Sequence, residues 1–461
     1  MISSRLFALS LAVMPCAATA QAPTVVEPAA RAADSILAAA ATRGYSGVAL
    51  VRKNGQPILR KAYGLAQREG PVPFATNTVV QIGSNTKDFT TVALLQLVHR
   101  GKLQLGDSLA KFFPAAPPDK RSITVRQLMN HRSGLPHMIA PDSVLITRAG
   151  FIERVMRVPL EFAPGSRELY SNPGFSVLAA IIEQLSGLSY DRYVNENIFV
   201  PLAMRETGYL LPRFDARRLA HGYASGADKR SVLDLPHPAD GPSWTLRGNG
   251  GMVSTVDDMA VFYQALFETE KLLPAAVRNP VFEPGGAMVL AGSDRTSFFM
   301  YQREPELGVD AFIASTSTEV QAPALLRPIM GTLGLRGNAQ ANAVIEAPAI
   351  TLPPTPAGNT VREYLDVFHE ADSATAVRFF AERFVPSTDA PPPPQRYARL
   401  VAMRGNLREL VPIRYDLRAS ESGLAVDLTA RAANGEVVTL LFDIEPDAPH
   451  RIRSLRVRVG D

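Results

Sequence analysis

The chain of 461 residues has one cysteine and one tryptophan, and it shows no strong excess of charge of either sign. A lone thiol, Cys16, excludes an internal disulfide and a cluster of cysteine ligands. Lys and Arg together number 48 and Asp and Glu 44, and no block of basic residues stands out, so we expect no nucleic-acid partner. No segment has the ~20 consecutive apolar residues of a membrane-spanning helix, so we expect no membrane span.

Histidine is also sparse, with seven residues scattered along the chain. His131 and His137 are close in sequence, in a loop with glycine and proline, but no His-Glu-x-x-His spacing occurs. Loop histidines of this kind are more often structural than metal ligands. We therefore predict no metal site and no cofactor.

The first twenty residues have the layout of a cleavable signal peptide. Arg5 precedes an apolar stretch, Leu6 to Met14, and Ala18-Thr19-Ala20 fits the small-residue pattern of a cleavage site. Cleavage would remove Cys16 and, with Arg5, lower the formal net charge from +4 to +3. We predict an exported bacterial protein, periplasmic or secreted.

A hydroxyl and an amine stand three residues apart in Ser84-Asn85-Thr86-Lys87. The apolar residues that follow predict a buried helix, and residues i and i+3 of a helix lie on one face. A serine becomes a strong nucleophile only when a neighbouring base takes its proton, and a lysine acts as that base once burial lowers its pKa. The tetrad therefore predicts either a nucleophile with its activator or an ordinary helix start with a solvated lysine.

A second polar cluster, Tyr170-Ser171-Asn172, lies before Pro173-Gly174 and another apolar run. A phenol can move a proton, and an amide can bind a lysine or a substrate carbonyl. The same loop also has the composition of a helix cap, and both interpretations are compatible.

These motifs resemble those of serine β-lactamase and penicillin-binding-protein-like hydrolases, on the branch of class C β-lactamases and family VIII esterases. Ser84-x-x-Lys87 and Tyr170-Ser171-Asn172 match two family motifs. Leu128 to Leu135 resembles the His-x-Ser-Gly-Leu segment, and Gly248 to Thr255 resembles the Gly-Gly-(Leu/Met)-x-Ser-Thr segment. The four motifs occur in the family's order and cover roughly residues 30 to 335.

The resemblance implies roles for individual residues. Ser84 would be the acylated nucleophile, and Lys87 and Tyr170 would share the general-base work. Asn172 would orient Lys87 and the substrate. The backbone N–H of Ser84 would form half of an oxyanion hole.

The third family motif is where the sequence departs from the pattern. The family has Lys-Thr-Gly or His-x-Gly on the strand that closes the site. Here that motif falls near Val289-Leu290-Ala291-Gly292, with Val289 in place of the basic residue, and Glu283 to Gly286 also lacks one. A backbone N–H near Gly292 could complete the oxyanion hole, but no cation would hold a substrate carboxylate. Arg295 is a candidate replacement, or a solvent-facing turn residue.

The predicted fold is β-lactamase-like α/β (α+β): an antiparallel sheet flanked by helices, with a mainly helical subdomain and the site in the cleft between them. Strands are expected at 46–53 and 56–63, joined by the turn Asn54-Gly55, and again at about 297–315. A helix is expected at each end of this region, from Ala30 to Thr42 and from Ala322 to Met330. Trp244 and Tyr223 line the cleft or pack in the core.

Four segments make up the predicted domain organisation: a signal peptide, 1–20; a hydrolase domain, 21–340; a Pro-rich linker, 341–357; and an accessory domain, 358–461. The last has helical patterns at 361–370, 373–384 and 395–410, then four strands at about 413–419, 424–431, 436–445 and 452–459, with Asn434-Gly435 as a hairpin turn. It resembles small NTF2- or cystatin-like domains, and we expect it to be a packing or stability module.

Two functions follow from these observations. The first is an exported serine hydrolase that forms an acyl-enzyme on Ser84 with a small ester, amide or β-lactam, or with a D-amino-acid peptide. The second is a catalytically impaired penicillin-binding-protein-like binding protein, favoured by the missing third-motif cation.

Overall fold

The computed structural model describes residues 22–209, 216–224, 227–229, 234, 241–282, 286–294, 296–316, 320–335, 348–386, 391–420, 423–433 and 437–459. The predicted signal peptide, Arg295 and the turn Asn434-Gly435 lie outside these residues. The chain divides into two compact units, residues 1–335 and 336–461. Among the described residues, no helix has the length and apolar character needed to cross a bilayer.

An antiparallel sheet of six strands forms the centre of the first unit, in the order β1-β3-β2-β12-β11-β10. The strands of this unit are β1 Thr24–Val25, β2 Gly47–Lys53, β3 Gln56–Tyr63, β4 Leu65–Gln67, β5 Val72–Pro73, β6 Val80–Gln81, β7 Tyr223–Ala224, β8 Ala227–Asp228, β9 Val253–Ser254, β10 Met288–Ser293, β11 Phe298–Glu304 and β12 Val309–Ser315. β2 pairs with β12, so strands from the two ends of the unit meet at the middle of the sheet. This confirms the predicted antiparallel sheet.

The hairpin between β2 and β3 turns at Asn54-Gly55, as predicted. Asn54 has φ of 50° and Gly55 φ of 74°. A two-residue turn of this type needs positive φ at both positions, which asparagine and glycine tolerate best.

Both faces of the sheet are covered. Val48 and Leu50 of β2 belong to the core that contains α2, whereas Ala49 and Val51 belong to a second core on the opposite face. Because side chains alternate across a strand, a strand covered on both faces is apolar at nearly every position, which explains the continuous apolar run of β2.

The helices of this unit contribute to the cores on the two faces of the sheet. Their bounds are α1 Pro28–Ala41, α2 Thr86–His99, α3 Leu109–Phe112, α4 Val125–Met129, α5 Arg148–Arg157, α6 Asn172–Ser186, α7 Tyr190–Val194, α8 Val256–Glu268, α9 Ala275–Phe282 and α10 Ala322–Thr332. α1 and α10, close to the predicted terminal helices, share the core of one face. α2, α6 and α8 share the core of the other face, and this helical part carries the predicted motifs.

Three helices followed by a four-stranded meander form the second unit. They are α11 Pro356–Glu370, α12 Ser373–Arg383, α13 Pro393–Leu407, β13 Leu410–Ser420, β14 Gly423–Ala432, β15 Val437–Ile444 and β16 Ile452–Val459. The order β13-β14-β15-β16 is antiparallel throughout, which confirms the predicted α+β pattern. The likeness to NTF2- or cystatin-like domains stays a prediction.

The first strand of this meander begins earlier than predicted. β13 starts at Leu410, and its pairing with β14 shifts register between Pro412 and Arg414. Pro412 lacks the N–H that a strand ladder uses, so the sequence favoured a start after it. A bulge on this edge strand accommodates the proline and lets pairing continue on both sides.

Candidate active site

Ser84 lies in a single 3₁₀ turn, Gly83–Asn85, that leads directly into α2. Most of α2 is buried, as its apolar sequence predicts. Gly83 has φ of 49°, and a Cβ there would lie 2.5 Å from the backbone nitrogen of Ser293 on β10. A glycine is therefore required for the turn that contains Ser84 to approach the last strand of the sheet.

Lys87 is held in place by three hydrogen bonds. Its Nζ donates to Ser84 Oγ at 3.1 Å and to Asn172 Oδ1 at 2.8 Å. The third acceptor is the backbone carbonyl of Asn249, at 2.5 Å. The residue is only 6% exposed. Burial lowers the pKa of the Lys87 amine to about 7, although the charges of Asp88 and Asp142 act in the opposite direction.

Tyr170 contacts the same serine oxygen from the other side. Its hydroxyl donates to Ser84 Oγ at 2.7 Å, and the Lys87 Nζ lies 4.8 Å from the centre of its ring. The partial loss of water around the phenol raises the pKa of Tyr170, and the hydrogen bond with Ser84 opposes this shift. Ser84 Oγ thus lies between an amine and a phenol.

The loop that carries Tyr170 is also the cap of the next helix, as one of the two compatible interpretations predicted. Ser171 is the N-cap of α6, and its hydroxyl accepts from the backbone N–H of Gly174. Asn172 is the first residue of α6, which fixes the amide that binds Lys87.

His131 supports this loop. The backbone N–H of Ser171 donates to His131 Nδ1 at 3.1 Å, and the imidazole lies 4.4 Å from the Tyr170 ring, centroid to centroid. Burial, together with the nearby charge of Lys87, lowers the pKa of His131 to about 4. A neutral imidazole that accepts at Nδ1 carries its proton on Nε2. The His-x-Ser-Gly-Leu segment therefore positions the tyrosine.

Two contacts near Ser84 were missed by sequence reasoning. The first is the carbonyl of Asn249, a backbone atom that no residue type encodes, although it lies in a segment that carries the family resemblance. The second is a buried chain behind the turn: Asn85 Nδ2 donates to Tyr263 Oη at 2.9 Å, and Tyr263 Oη donates to Asp88 Oδ2 at 2.7 Å. Burial raises the pKa of Asp88 to about 6.

Gly292 lies against the turn that contains Ser84. A Cβ at this position would be 1.9 Å from the carbonyl oxygen of Ile82 and 2.2 Å from Asn85 Oδ1. Gly292 is buried, and only a residue without a side chain allows β10 to lie this close. β10 at Gly292 therefore lies next to the turn that contains Ser84.

The assignment of Val289 to the position of the family's basic residue is wrong. Val289 is 53% exposed, and side chains alternate along a strand, so it projects away from the face of Gly292. Leu290, two residues before Gly292, is on the face that packs against the core beneath the site. An aliphatic side chain therefore stands where the family has Lys or His, one residue later than expected.

Two aromatic residues with open assignments belong to the core. Trp244 and Tyr223 are both fully buried, and Trp244 packs near Phe151. The hydroxyl of the buried Tyr223 donates to Glu69 Oε2 at 2.7 Å. Neither residue lines the cleft.

Among the described residues, Glu69, His221 and Asp228 bring potential metal-ligand atoms within 4.8 Å of one another. Protein contacts account for this group: His221 Nδ1 lies 3.1 Å from Asp228 Oδ2, and Glu69 accepts from Tyr223. Its members contact none of the groups around Ser84 described above, and we assign no ion to them.

The chain is similar in sequence to known proteins. The family model described as Beta-lactamase matches residues 31–306. A protein of Escherichia coli strain K12 named "Putative D-alanyl-D-alanine carboxypeptidase" is 30% identical over 261 residues, which are 48% of this chain and 60% of that protein. This chain therefore spans less than two thirds of that relative's length.

Solved structures share the fold over about two thirds of this chain. FmtA from Staphylococcus aureus aligns with a TM-score of 0.58 at 20% identity, over 68% of this chain and 91% of FmtA. The D-amino acid amidase from Ochrobactrum anthropi SV3 aligns with a TM-score of 0.57 at 23% identity, over 67% of this chain and 99% of the amidase. At these identities the likeness concerns the fold.

Proposed function

The chain belongs to the Beta-lactamase family, and from this membership we propose that it is a serine hydrolase that forms an acyl-enzyme on Ser84. One observation carries the proposal: Lys87 Nζ and Tyr170 Oη both hydrogen-bond to Ser84 Oγ, at 3.1 and 2.7 Å. An ordinary helix start would leave the lysine in water. Here the lysine is buried and its pKa is lowered, as a general base requires.

In the proposed reaction, Ser84 Oγ attacks the substrate carbonyl carbon while the neutral Lys87 amine takes the hydroxyl proton. The tetrahedral intermediate collapses, the bond to the leaving group breaks, and Tyr170 delivers a proton to that group, regaining one from Lys87. Water then attacks the acyl carbonyl carbon while Lys87 and Tyr170 again accept and donate protons. The bond between the acyl group and Ser84 Oγ breaks, Ser84 Oγ regains its proton, and the acid is released. Asn172 holds the amine in line throughout.

Two backbone amides are proposed as the oxyanion hole, those of Ser84 and Ser293. Asp294 N donates to Ser297 O across the turn to β11, and successive amides of a strand point to opposite sides. The Ser293 amide therefore faces away from β11, next to Gly83. This moves the predicted donor from Gly292 to the following residue.

The substrate class follows from Leu290. An aliphatic side chain on the same face of β10 as Gly292 cannot bind a carboxylate, whereas it can pack against an apolar acyl group. We propose esters or small amides with an uncharged acyl group as substrates, in preference to β-lactams or D-amino-acid peptides with a free carboxylate. We also propose that the hydrolase is exported, because residues 1–20 have the layout of a signal peptide. The alternative, a binding protein with little turnover, rests on the same missing cation.

The function is tested by comparing kcat/KM for p-nitrophenyl butyrate with that for mono-p-nitrophenyl succinate, which differ in a carboxylate. We expect the neutral ester to be preferred by at least about tenfold, since an uncompensated buried charge costs more than 1.4 kcal/mol. Equal or better turnover of the anionic ester would refute the substrate class. No Ser84-dependent turnover of either ester would refute the enzyme.

We predict that Leu290→Lys narrows or reverses this preference, because the new ammonium can bind the succinate carboxylate. A charge-assisted hydrogen bond corresponds to about 10- to 100-fold in kcat/KM. Val289→Lys is the matched control, since its side chain projects from the opposite face of β10 and should leave the ratio unchanged. An effect of Val289→Lys equal to that of Leu290→Lys would contradict the placement of this strand.

The acylation rate should rise with pH and level off above a midpoint near 7. Lys87 acts as a base only when neutral, its pKa is about 7, and the neutral fraction grows as pH increases through that value. Tyr170 with its raised pKa stays protonated, and His131 with a pKa of about 4 stays neutral in this range. Stopped-flow acylation between pH 5 and 9 measures the profile, and a rate that falls as pH rises through 7 would contradict the role of Lys87.

A further inference from the structure

The second unit contains a cavity of about 380 Å³ between its helices and the edge strand β16. This volume is within the range of pockets that hold small ligands, about 300–1,000 Å³. Its apolar lining comes from Phe380, Phe384, Leu400, Met403, Leu455 and Val457. Helices α12 and α13 and strand β16 all supply residues to this lining.

Three arginines line the same cavity. Arg396 and Arg399 come from α13, and Arg453 comes from β16. Among the described residues that line the cavity, none is acidic. Three positive charges around an apolar space, with no carboxylate among the lining residues that the structure describes, are complementary to an anion with an apolar body.

Within the described part of the chain, the partners of these arginines leave their charges largely uncompensated. Arg453 has one carboxylate neighbour, Glu445, at 3.9 Å, and Glu445 also accepts from Arg451 at 3.0 Å. Arg396 donates from Nε to the carbonyl of Pro391 at 2.8 Å and lies over the Phe384 ring, 4.4 Å from its centre. Arg399 lines the cavity and is exposed.

We propose that this cavity is a binding site for a small amphiphilic carboxylate, with its apolar body among the phenylalanine and leucine side chains and its carboxylate at Arg399 and Arg453. The planar guanidinium groups match a carboxylate in geometry. Burial around Arg396 lowers the pKa of its guanidinium, so a bound anion would also offset the cost of that partly buried charge. This site assigns a ligand to the unit that the sequence described only as a packing module.

The test is calorimetric titration of the full chain with sodium octanoate and, separately, 4-phenylbutyrate, which distinguishes an aliphatic from an aromatic body. Two matched probes are included: octanamide, which lacks the charge, and acetate, which lacks the apolar body. We expect saturable binding of at least one of the two larger acids, about tenfold weaker binding of octanamide, and no measurable binding of acetate. Octanamide binding as tight as that of octanoate, or no binding of either acid, would overturn the proposal.

The double variant Arg399→Gln/Arg453→Gln locates the site. Both residues are exposed, so the fold should be retained, and we expect affinity to fall at least tenfold. Arg378→Gln, an exposed arginine of α12 outside the lining, should have no effect. Ser84→Ala should also bind as the parent chain does, so the result is independent of catalysis. Unchanged affinity in the double variant would overturn the proposal.

Discussion

Ser84→Ala is expected to lower kcat/KM for p-nitrophenyl butyrate by about 10⁴-fold or more. The reason is that Ser84 Oγ is the atom on which Lys87 and Tyr170 converge. Alanine removes the nucleophile but leaves the surrounding hydrogen-bond acceptors for Lys87 in place, Asn172 Oδ1 and the Asn249 carbonyl. The fold should therefore persist.

Lys87→Ala is expected to have an effect of similar size, and the double variant should be scarcely worse than either single one. Residues that act as one unit fail together, so their effects are not additive. Ser35→Ala, an exposed serine on α1, is the control and should retain full activity. Initial rates under pseudo-first-order conditions give each value, and a Ser84→Ala variant within tenfold of the parent would contradict the mechanism.

Gly292→Ala is expected to impair both catalysis and stability. Replacing glycine by alanine often stabilises a protein by restricting the unfolded chain. At Gly292, however, the added Cβ would meet the Ile82 carbonyl oxygen at 1.9 Å and Asn85 Oδ1 at 2.2 Å. β10 must then move away from the nucleophile turn, and the proposed oxyanion donor moves with it.

We expect kcat/KM of Gly292→Ala to fall by about 100-fold or more, as for the loss of an oxyanion-hole donor. The free energy of unfolding should fall by about 1–3 kcal/mol, which is typical of overpacking. Gly286→Ala is the matched control, because nothing lies within 4 Å of a Cβ at that position. Kinetics and urea unfolding measure the two effects. Parent-like values for Gly292→Ala in both would contradict the close approach of β10.

Much of this arrangement could be predicted from sequence because it depends on local patterns. The three-residue spacing of Ser84 and Lys87 fixes both on one face of a helical turn, and the apolar residues after Lys87 bury that helix. The turn at Asn54-Gly55 is similarly local, since its two positive φ angles suit those residue types. The order of helices and strands in the second unit follows from the same kind of periodicity.

The remaining features depend on tertiary placement. The assignment of Val289 was wrong by one residue, and a shift of one residue in a strand exchanges its two faces. Every residue type has a backbone carbonyl, so no sequence pattern marks the carbonyl of Asn249 as the acceptor for Lys87. Asp88 and Tyr263 are 175 positions apart, yet they share a hydrogen bond.

Intact mass spectrometry of the full chain after exposure to a fluorophosphonate tests the central claim most directly, with Ser84→Ala in parallel. The account predicts one adduct per chain, mapped to the peptide that contains Ser84, and none on the alanine variant. Parallel samples with p-nitrophenyl butyrate and a penicillin then show which acyl group the serine accepts. A folded parent chain that gains no mass, or an adduct that persists in Ser84→Ala, would contradict the account and favour a binding protein on this fold.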